Sequence, residues 1–210
     1  MRKCALLCIL AACLVLATSV LAADARNTIR GGIVYSNPTG DGQFAPDPSH
    51  KFEADSAFGL GFSYERTITD LMGVNFDLSW FDHDVKISNV SEGDTFGNFS
   101  VMPLTVSLLF HPLEKGGVDF YIGPAVSYVM YGDLELEGMH RVWVGESELS
   151  VDSDFSLALQ TGVDIRFNET WGMNVDLKYL DTKAKIDVVG EDLDLDVDPF
   201  LIGVGVTVRF

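Results

Sequence analysis

The sequence predicts an all-β fold, an eight-stranded antiparallel transmembrane β-barrel, and three observations support it. First, successive segments alternate apolar and polar residues with the two-residue period of a β-strand. Second, beyond an N-terminal apolar segment, no run approaches the roughly eighteen apolar residues that a membrane helix needs. Third, long and short connections alternate, as in outer-membrane barrels with tight periplasmic turns and long outer loops.

The C-terminal segment shows this pattern over a length that suits a membrane strand. One face carries the large apolar residues Phe200, Ile202, Val204, Val206, Val208 and Phe210. The other face carries mainly small or polar residues, and about ten residues suffice for a tilted strand to cross a bilayer. We predict that the terminal Phe210 is the signal that the barrel-assembly machinery reads. Taken alone, this segment also suits one strand of a soluble sandwich.

Residues 1–22 are predicted to be a secretory signal peptide, with cleavage between residues 22 and 25. A basic head, Met1 to Lys3, precedes the uncharged apolar run from Cys4 to Ala23, which ends in small residues. The segment Leu10 to Cys13 also resembles a lipoprotein box, although the apolar run continues beyond it. The predicted mature domain, residues 23–210, holds none of the three cysteines, which excludes disulfide and thiolate chemistry there.

The composition of the predicted mature chain restricts its partners and its strand number. It has 12 basic against 31 acidic residues, a formal charge of −19, which argues against nucleic acid as a partner. Its length of about 188 residues leaves about 23 for each of eight strands with its connection. Those values fit the smallest membrane barrels.

The alternation places the eight strands and assigns their faces. The strands are predicted near residues 27–36, 56–67, 72–87, 99–111, 118–131, 153–167, 171–188 and 192–210. Long loops are predicted at 37–48, 88–98 and 132–152. Charged residues fall on the inward face. A soluble ligand-binding barrel would show the opposite polarity, with apolar residues inside and charged residues outside. Aromatic residues predicted to form girdles at the membrane interfaces are Tyr35, Phe58, Tyr64, Trp80, Phe110, Phe120, Trp171, Tyr179 and Phe210.

Beyond the predicted membrane, the polarity of four strands reverses. In the third strand the outward positions become Asp82, Asp84 and Lys86, while the inward positions become apolar. This pattern predicts an apolar cup at the extracellular mouth, suited to capturing small oily molecules. Its predicted lining is Phe81, Val85, Ile87, Phe99, Val101, Leu180, Ile186, Leu193, Leu195, Val197 and Leu201. The alternative is that a rim projecting into water simply needs a small core of its own.

Several segments of the chain resemble the OmpW family. They are PLTVSLLFHP (Pro103 to Pro112), FYIGPAVSY (Phe120 to Tyr128), LALQTGVDIRF (Leu157 to Phe167), DPFLIGVGVTVRF (Asp198 to Phe210) and FGLGFSYERTITDLMGVNF (Phe58 to Phe76). The resemblance runs through nearly all of the mature chain and implies an eight-stranded outer-membrane barrel that passes small hydrophobic compounds. The chain departs from the family at Phe155, where relatives tend to carry Trp, and at Asp77, an inward site that is commonly apolar.

A polar constriction is predicted inside the barrel. Its predicted residues are Asp77, Phe155, Asp164, Arg166, Asp176 and Lys178. Because buried charges require partners, the acids are expected to pair with Arg166, Lys178, Arg30 or Arg209 and to plug the waist. The sequence leaves the individual pairings open.

The sequence predicts no catalytic site, no metal site and no cofactor. Asp82, His83 and Asp84 alternate across a strand and cannot converge on a metal, so we predict a solvated rim there. Ser107 and His111 share a face but lie roughly 13 Å apart along a strand, too far for a nucleophile and its base. We therefore expect a protein that is not an enzyme.

Two classes of function remain after these exclusions. One is a channel or binding protein for small hydrophobic molecules, and the other is a non-conducting structural or surface-interaction barrel that acts through its acidic outer loops. The acidic loops, Asp133 to Glu137 and Glu191 to Asp198, keep the surface soluble or bridge through Mg²⁺ or Ca²⁺ to lipid phosphates. Expected partners are outer-membrane lipid and lipopolysaccharide, the assembly machinery and a small hydrophobic solute.

Overall fold

The computed structural model describes residues 26–39, 42–43, 51–87, 95–136, 148–149, 151–188, 191–196 and 198–210. Its side chains are described for residues 26–39, 54–86, 97–135, 151–182 and 198–210. Within these ranges the chain forms one antiparallel sheet of fifteen strands: β1 (Asn27–Asn37), β2 (Gly42–Gln43), β3 (Lys51–Ala54), β4 (Ala57–Thr69), β5 (Met72–Ile87), β6 (Thr95–Lys115), β7 (Val118–Tyr131), β8 (Leu134–Leu136), β9 (Glu148–Leu149), β10 (Val151–Asp152), β11 (Asp154–Arg166), β12 (Trp171–Asp181), β13 (Lys183–Val188), β14 (Glu191–Asp196) and β15 (Phe200–Arg209).

No helix in the described part of the chain is long and apolar enough to cross a bilayer.

Eight long strands close into a barrel. They follow one another in the order β5, β4, β1, β15, β12, β11, β7 and β6, and β6 pairs again with β5. β1 pairs with β15, where the Asn27 N–H donates to the Phe210 carbonyl oxygen at 2.8 Å and the Phe210 N–H donates to the Asn27 carbonyl oxygen at 3.0 Å. The prediction of an eight-stranded antiparallel barrel is confirmed.

The seven short strands lengthen the wall at one end of the barrel. β3 pairs with the end of β5, β8 pairs with the beginning of β6, and β13 and β14 form a hairpin beyond β12 and β15. Two predicted loops, 37–48 and 132–152, therefore contain short strands, and most of the predicted loop 88–98 lies outside the described residues. Short strands form there because the backbone N–H and C=O groups of neighbouring segments at the rim hydrogen-bond to each other instead of remaining unpaired.

Two strand boundaries differ from the predicted ones for identifiable reasons. β6 continues through Pro112 to Lys115, because the proline lies at a register shift between Phe110 and Leu113 and so removes no ladder bond. The predicted seventh and eighth strands are each interrupted. Asp198 has a positive φ of 31°, and its Oδ1 accepts a hydrogen bond from the Thr182 N–H at 3.0 Å. This hydrogen bond joins the two interruptions, because Thr182 lies between β12 and β13 and Asp198 lies between β14 and β15.

The two faces of the wall have the polarity of a membrane barrel. Outward side chains such as Phe58 and Leu60 are 75% and 67% exposed, whereas inward Glu65 and Asp164 are 2% and 0% exposed. The aromatic residues predicted for the interfacial girdles all lie on the outer surface, exposed or half-buried. Above exposed Trp80 the outward residues of β5 are charged, so the lipid-facing band of this strand ends there.

Deleting Phe210 is expected to reduce the amount of folded barrel in the membrane. The deletion removes both backbone hydrogen bonds that join the last residue to Asn27, together with an aromatic side chain that is 64% exposed on the outer surface. Unboiled electrophoresis of isolated outer membranes would quantify the folded form. Phe210→Tyr, which keeps an aromatic ring, is the matched control and should assemble like the parent. Normal folded amounts after the deletion would remove Phe210 as an assembly signal.

Candidate functional site

The inward apolar residues near the outer end of the barrel form one cluster. The predicted cup residues with described side chains are each at most 7% exposed, and all belong to this cluster: Phe81, Val85, Phe99, Val101, Leu180 and Leu201. The backbone pairs Ile186 with Leu193 and Ala184 with Leu195. The side chains of Ile87, Ile186, Leu193 and Leu195, and the whole of Val197, lie outside the described residues.

The cluster also contains residues that sequence reasoning did not assign to the cup. They are Val34, Ala57, Val129, Tyr131, Leu134 and Val151. The signal for Val129 and Tyr131 was present, because they continue the inward positions of Ala125 and Ser127 along β7. Leu134 and Val151 lie on the short rim strands β8 and β10, which no strand pattern predicted.

His83 lies inside this cluster, which corrects the prediction of a solvated rim at residues 82–84. Asp82 and Asp84 are exposed, but His83 is only 2% exposed because successive side chains of a strand point to opposite faces. Its ring lies 5.9 Å, centroid to centroid, from both Phe81 and Phe99.

The hydrogen bonding of His83 defines which ring nitrogen carries the proton. Nδ1 lies 2.7 Å from the backbone carbonyl oxygen of Asp55. A carbonyl oxygen only accepts, so Nδ1 bears the hydrogen and donates. Burial lowers the pKa of His83 from its ordinary value, although the neighbouring acids oppose this shift, and the ring is therefore neutral near pH 7. His83 lies beyond Trp80 and thus outside the lipid-facing band.

A cavity of about 10 Å³, the room of about one water molecule, lies beside His83. Part of its lining is apolar and comes from the cluster, including Phe81, Val101 and Leu180. The remaining lining includes three hydroxyl-bearing residues, Ser36, Tyr131 and Thr182, and the Tyr131 and Thr182 hydroxyl oxygens lie 3.1 Å apart. The Tyr131 and Thr182 hydroxyls therefore pair with each other, and the surface of this small cavity is almost entirely apolar.

Below the cup, Lys178 is buried between two carboxylates. Its Nζ lies 2.7 Å from Asp77 Oδ2 and 3.2 Å from Asp176 Oδ1. Asp176 also accepts hydrogen bonds from the Tyr121 hydroxyl at 2.9 Å and from Gln160 Nε2 at 2.8 Å. Each of these residues as a whole is at most 8% exposed.

A second charged cluster lies further along the lumen around Arg30. Its guanidinium donates to both oxygens of Asp164, at 2.6 Å for the shortest contact, and to Glu65 at 2.7 Å, and it lies 4.8 Å from the centre of the Tyr121 ring. The chain of contacts continues to His111, whose two ring nitrogens lie 2.7 Å from Glu65 and 2.9 Å from Asp119. The two clusters together occupy the waist of the barrel with paired charges.

Two residues predicted for the constriction lie elsewhere. Phe155 is 72% exposed on the outer face, where its ring packs 4.8 Å from that of Tyr128, so its predicted lumen position is wrong. Arg166 lies two residues beyond Asp164, towards the turn between β11 and β12. It pairs with Glu114 at 2.9 Å, and both side chains are more than a quarter exposed.

The waist also contains residues that sequence reasoning missed. Tyr121, His111 and Asp119 take part in its hydrogen bonds, and Tyr121 is fully buried. The inward parity of Gly123 and Ala125 along β7 was the available signal for Tyr121 and Asp119. Their partners come from strands that are distant in sequence, so no local pattern could identify them.

The sequence profile of the OmpW family matches residues 35–210. The chain belongs to the OmpW family. This OmpW-family chain is 32% identical over 161 residues to an uncharacterized outer-membrane protein of Sinorhizobium fredii, a match that covers 68% of this chain and 67% of that protein. It is 22% identical over 189 residues to outer membrane protein W of Vibrio cholerae, covering 84% and 86% of the two chains.

Solved structures share the barrel of this OmpW-family chain. The outer membrane protein OprG of Pseudomonas aeruginosa is similar with a TM-score of 0.78 at 23% identity, covering 89% of this chain and 96% of OprG. The outer membrane protein AlkL, in lipid bilayers, gives 0.61 at 17% identity and covers 89% and 90%. Outer membrane protein W of E. coli gives 0.58 at 21% identity and covers 89% and 98%. Together, the family and the closed barrel establish an integral protein of the bacterial outer membrane.

Proposed function

We propose that this barrel binds small hydrophobic molecules in the apolar cup at its extracellular mouth. The observation that carries the proposal is the contrast along the lumen. Inward residues are charged or polar through the waist, whereas at the outer end they become the apolar cluster of Phe81, Val101, Leu180 and Leu201. A concave apolar surface with few polar groups is the usual form of a small-molecule site.

The charged waist serves as the floor of this cup. Lys178 forms ion pairs with Asp77 and Asp176, and Arg30 forms one with Asp164. An apolar molecule that entered between them would separate paired charges in a buried setting, which is costly. Apolar solutes are therefore expected to remain at the level of the cup rather than enter the waist directly.

Replacing Leu180 with Asn is expected to weaken the binding of n-decane several-fold. Leu180 is 1% exposed within the cluster, and an amide among apolar neighbours lacks hydrogen-bond partners. Binding would be followed by NMR of side-chain methyl groups in lipid nanodiscs, with decane expressed as its mole fraction in lipid.

The matched control is Asp181→Asn, the next residue along β12, which is exposed on the outer face. It loses only a solvated charge and should bind decane like the parent. Saturable binding in neither the parent nor the control would instead favour a barrel that acts through its acidic rim, where Asp82, Asp84, Asp133 and Glu135 are exposed.

A further inference from the structure

His111 is held between two carboxylates that lie on other strands. Its Nε2 lies 2.7 Å from an oxygen of Glu65 on β4, and its Nδ1 lies 2.9 Å from an oxygen of Asp119 on β7. Each carboxylate also accepts a hydrogen bond from an arginine, Glu65 from Arg30 and Asp119 from Arg209, so neither needs a proton of its own. Ionised carboxylates only accept, and only the charged imidazolium ring donates from both nitrogens. These hydrogen bonds are therefore satisfied together only when His111 carries a positive charge.

His111 is one member of a row of alternating charges that crosses the lumen. Each member forms an ion pair with the next, in the order Arg30, Glu65, His111, Asp119, Arg209 and Glu114, and Glu114 also pairs with Arg26 and Arg166. His111 is 8% exposed, and Glu65 and Asp119 are each 2% exposed. The side chains of Glu114 and Arg166 are more than a quarter exposed. Bulk water therefore reaches one end of the row but is kept from its middle.

The charges of this row and of the Lys178 cluster balance only when His111 is charged. To these ion pairs the described residues contribute six acids, Glu65, Asp77, Glu114, Asp119, Asp164 and Asp176. They contribute five lysine and arginine side chains, Arg26, Arg30, Arg166, Lys178 and Arg209. The imidazolium of His111 is the sixth positive charge. Because an uncompensated charge is costly in a buried setting, loss of the His111 proton favours the entry of water and a cation.

The ring of His111 also contacts the residue that joins this row to the Lys178 cluster. Its centroid lies 5.8 Å from the centroid of the Tyr121 ring. The Tyr121 hydroxyl donates to Asp176, a partner of Lys178, at 2.9 Å and accepts a hydrogen bond from Asn174 at 2.9 Å. Tyr121 is therefore the direct contact between the His111 ring and the ion pairs of the Lys178 cluster.

We propose that His111 is a pH-dependent lock, which closes the lumen below the cup while its ring is charged and releases it when the ring loses a proton. The neutral ring keeps one N–H, so its other nitrogen turns a lone pair towards Glu65 or Asp119. The lumen then holds one negative charge in excess, and hydrated cations enter from the exposed end at Glu114. Low pH therefore keeps the lumen closed, and rising pH opens it. The ionisable groups that face the ring, directly or behind the two acids, are Glu65, Asp119, Tyr121, Arg30 and Arg209.

The test measures the ion conductance of the full mature protein in planar lipid bilayers from about pH 6 to about pH 10, a range that begins near the ordinary pKa of histidine. We expect the parent to conduct several-fold more at the alkaline end, with selectivity for cations because the excess charge of the lumen is negative. The ¹⁵N resonances of His111 in lipid nanodiscs report the same step. Both ring nitrogens should be protonated at neutral pH, and one should lose its proton where the conductance rises.

Two variants separate the charge of His111 from its bulk. His111→Gln keeps a polar side chain without the charge and should conduct at every pH in this range. His111→Lys keeps a positive charge between the two carboxylates and should stay closed where the parent opens. Lys86→Met is the matched control, because it removes an exposed positive charge that pairs with Asp55 outside the lumen, and it should keep the pH profile of the parent.

An unprotonated His111 nitrogen at neutral pH, or the same pH profile in the parent and in His111→Gln, would overturn the lock. If His111→Gln fails to fold, the nitrogen resonances of the parent and the profile of His111→Lys still decide the outcome. The binding of decane in the cup does not depend on the lock, so an absence of decane binding would count against the proposed function alone.

Discussion

Replacing Lys178 with Met is expected to lower the free energy of unfolding by about 3–5 kcal/mol, the usual loss when one partner of a buried ion pair is removed. Lys178 is 3% exposed and is bonded to both Asp77 and Asp176. Met keeps most of the aliphatic volume, so the main change is two buried carboxylates without their cation. Urea titration in lipid vesicles, followed by tryptophan fluorescence, measures the effect.

Two further variants show whether this loss comes from the charges. Lys86→Met breaks the pair with Asp55, in which both side chains are more than two-fifths exposed, and should change stability little. Combining Lys178→Met with Asp77→Asn and Asp176→Asn removes the unpaired charges and should recover much of the loss. If the Lys178→Met protein had the same free energy of unfolding as the parent, water would have to solvate the two carboxylates in the waist.

Replacing Arg30 with Met is expected to cost a similar amount, about 3–5 kcal/mol. Arg30 bonds Asp164 through two of its nitrogens, reaches Glu65 with one of them, and lies over the ring of Tyr121. Its removal leaves both acids in a lumen where their side chains are at most 2% exposed. The same urea titration applies, and ion conductance in planar bilayers would report whether the waist also opens.

A further variant separates the contribution of the planar Arg30 guanidinium group from that of its positive charge. Arg30→Lys keeps the charge but cannot bond both oxygens of Asp164 and Glu65 in a fixed geometry, so it should recover only part of the loss. Arg26→Met is the control, because Arg26 is largely exposed in its pair with Glu114 and should contribute little. Full recovery by Lys would reduce the role of Arg30 to that of a simple positive charge.

The period-2 pattern predicted the barrel because it depends only on which face of a strand meets lipid. β5 and β7 begin and end where the alternation predicts, and Glu65, Asp77, Asp164, Asp176 and Lys178 point inward as expected. The same parity predicted the apolar inward positions at Phe81, Leu180 and Leu201. It gave wrong strand boundaries where turns and pairing at the rim determine the backbone. β6 continues through Pro112, and the predicted seventh and eighth strands are interrupted at Thr182 and Asp198.

The sequence by itself therefore determined the barrel, its strand number, the side of the wall on which most residues lie, with Phe155 as an exception, and the presence of charges in the lumen. Only the tertiary structure decided which charge meets which, because ion pairs such as Arg30 with Asp164 join strands more than a hundred residues apart along the chain. It also decided that His83 is buried with one nitrogen on the Asp55 carbonyl oxygen. Alternation gives the direction of a side chain, but the curvature and stagger of the closed sheet determine the height at which side chains meet across the lumen.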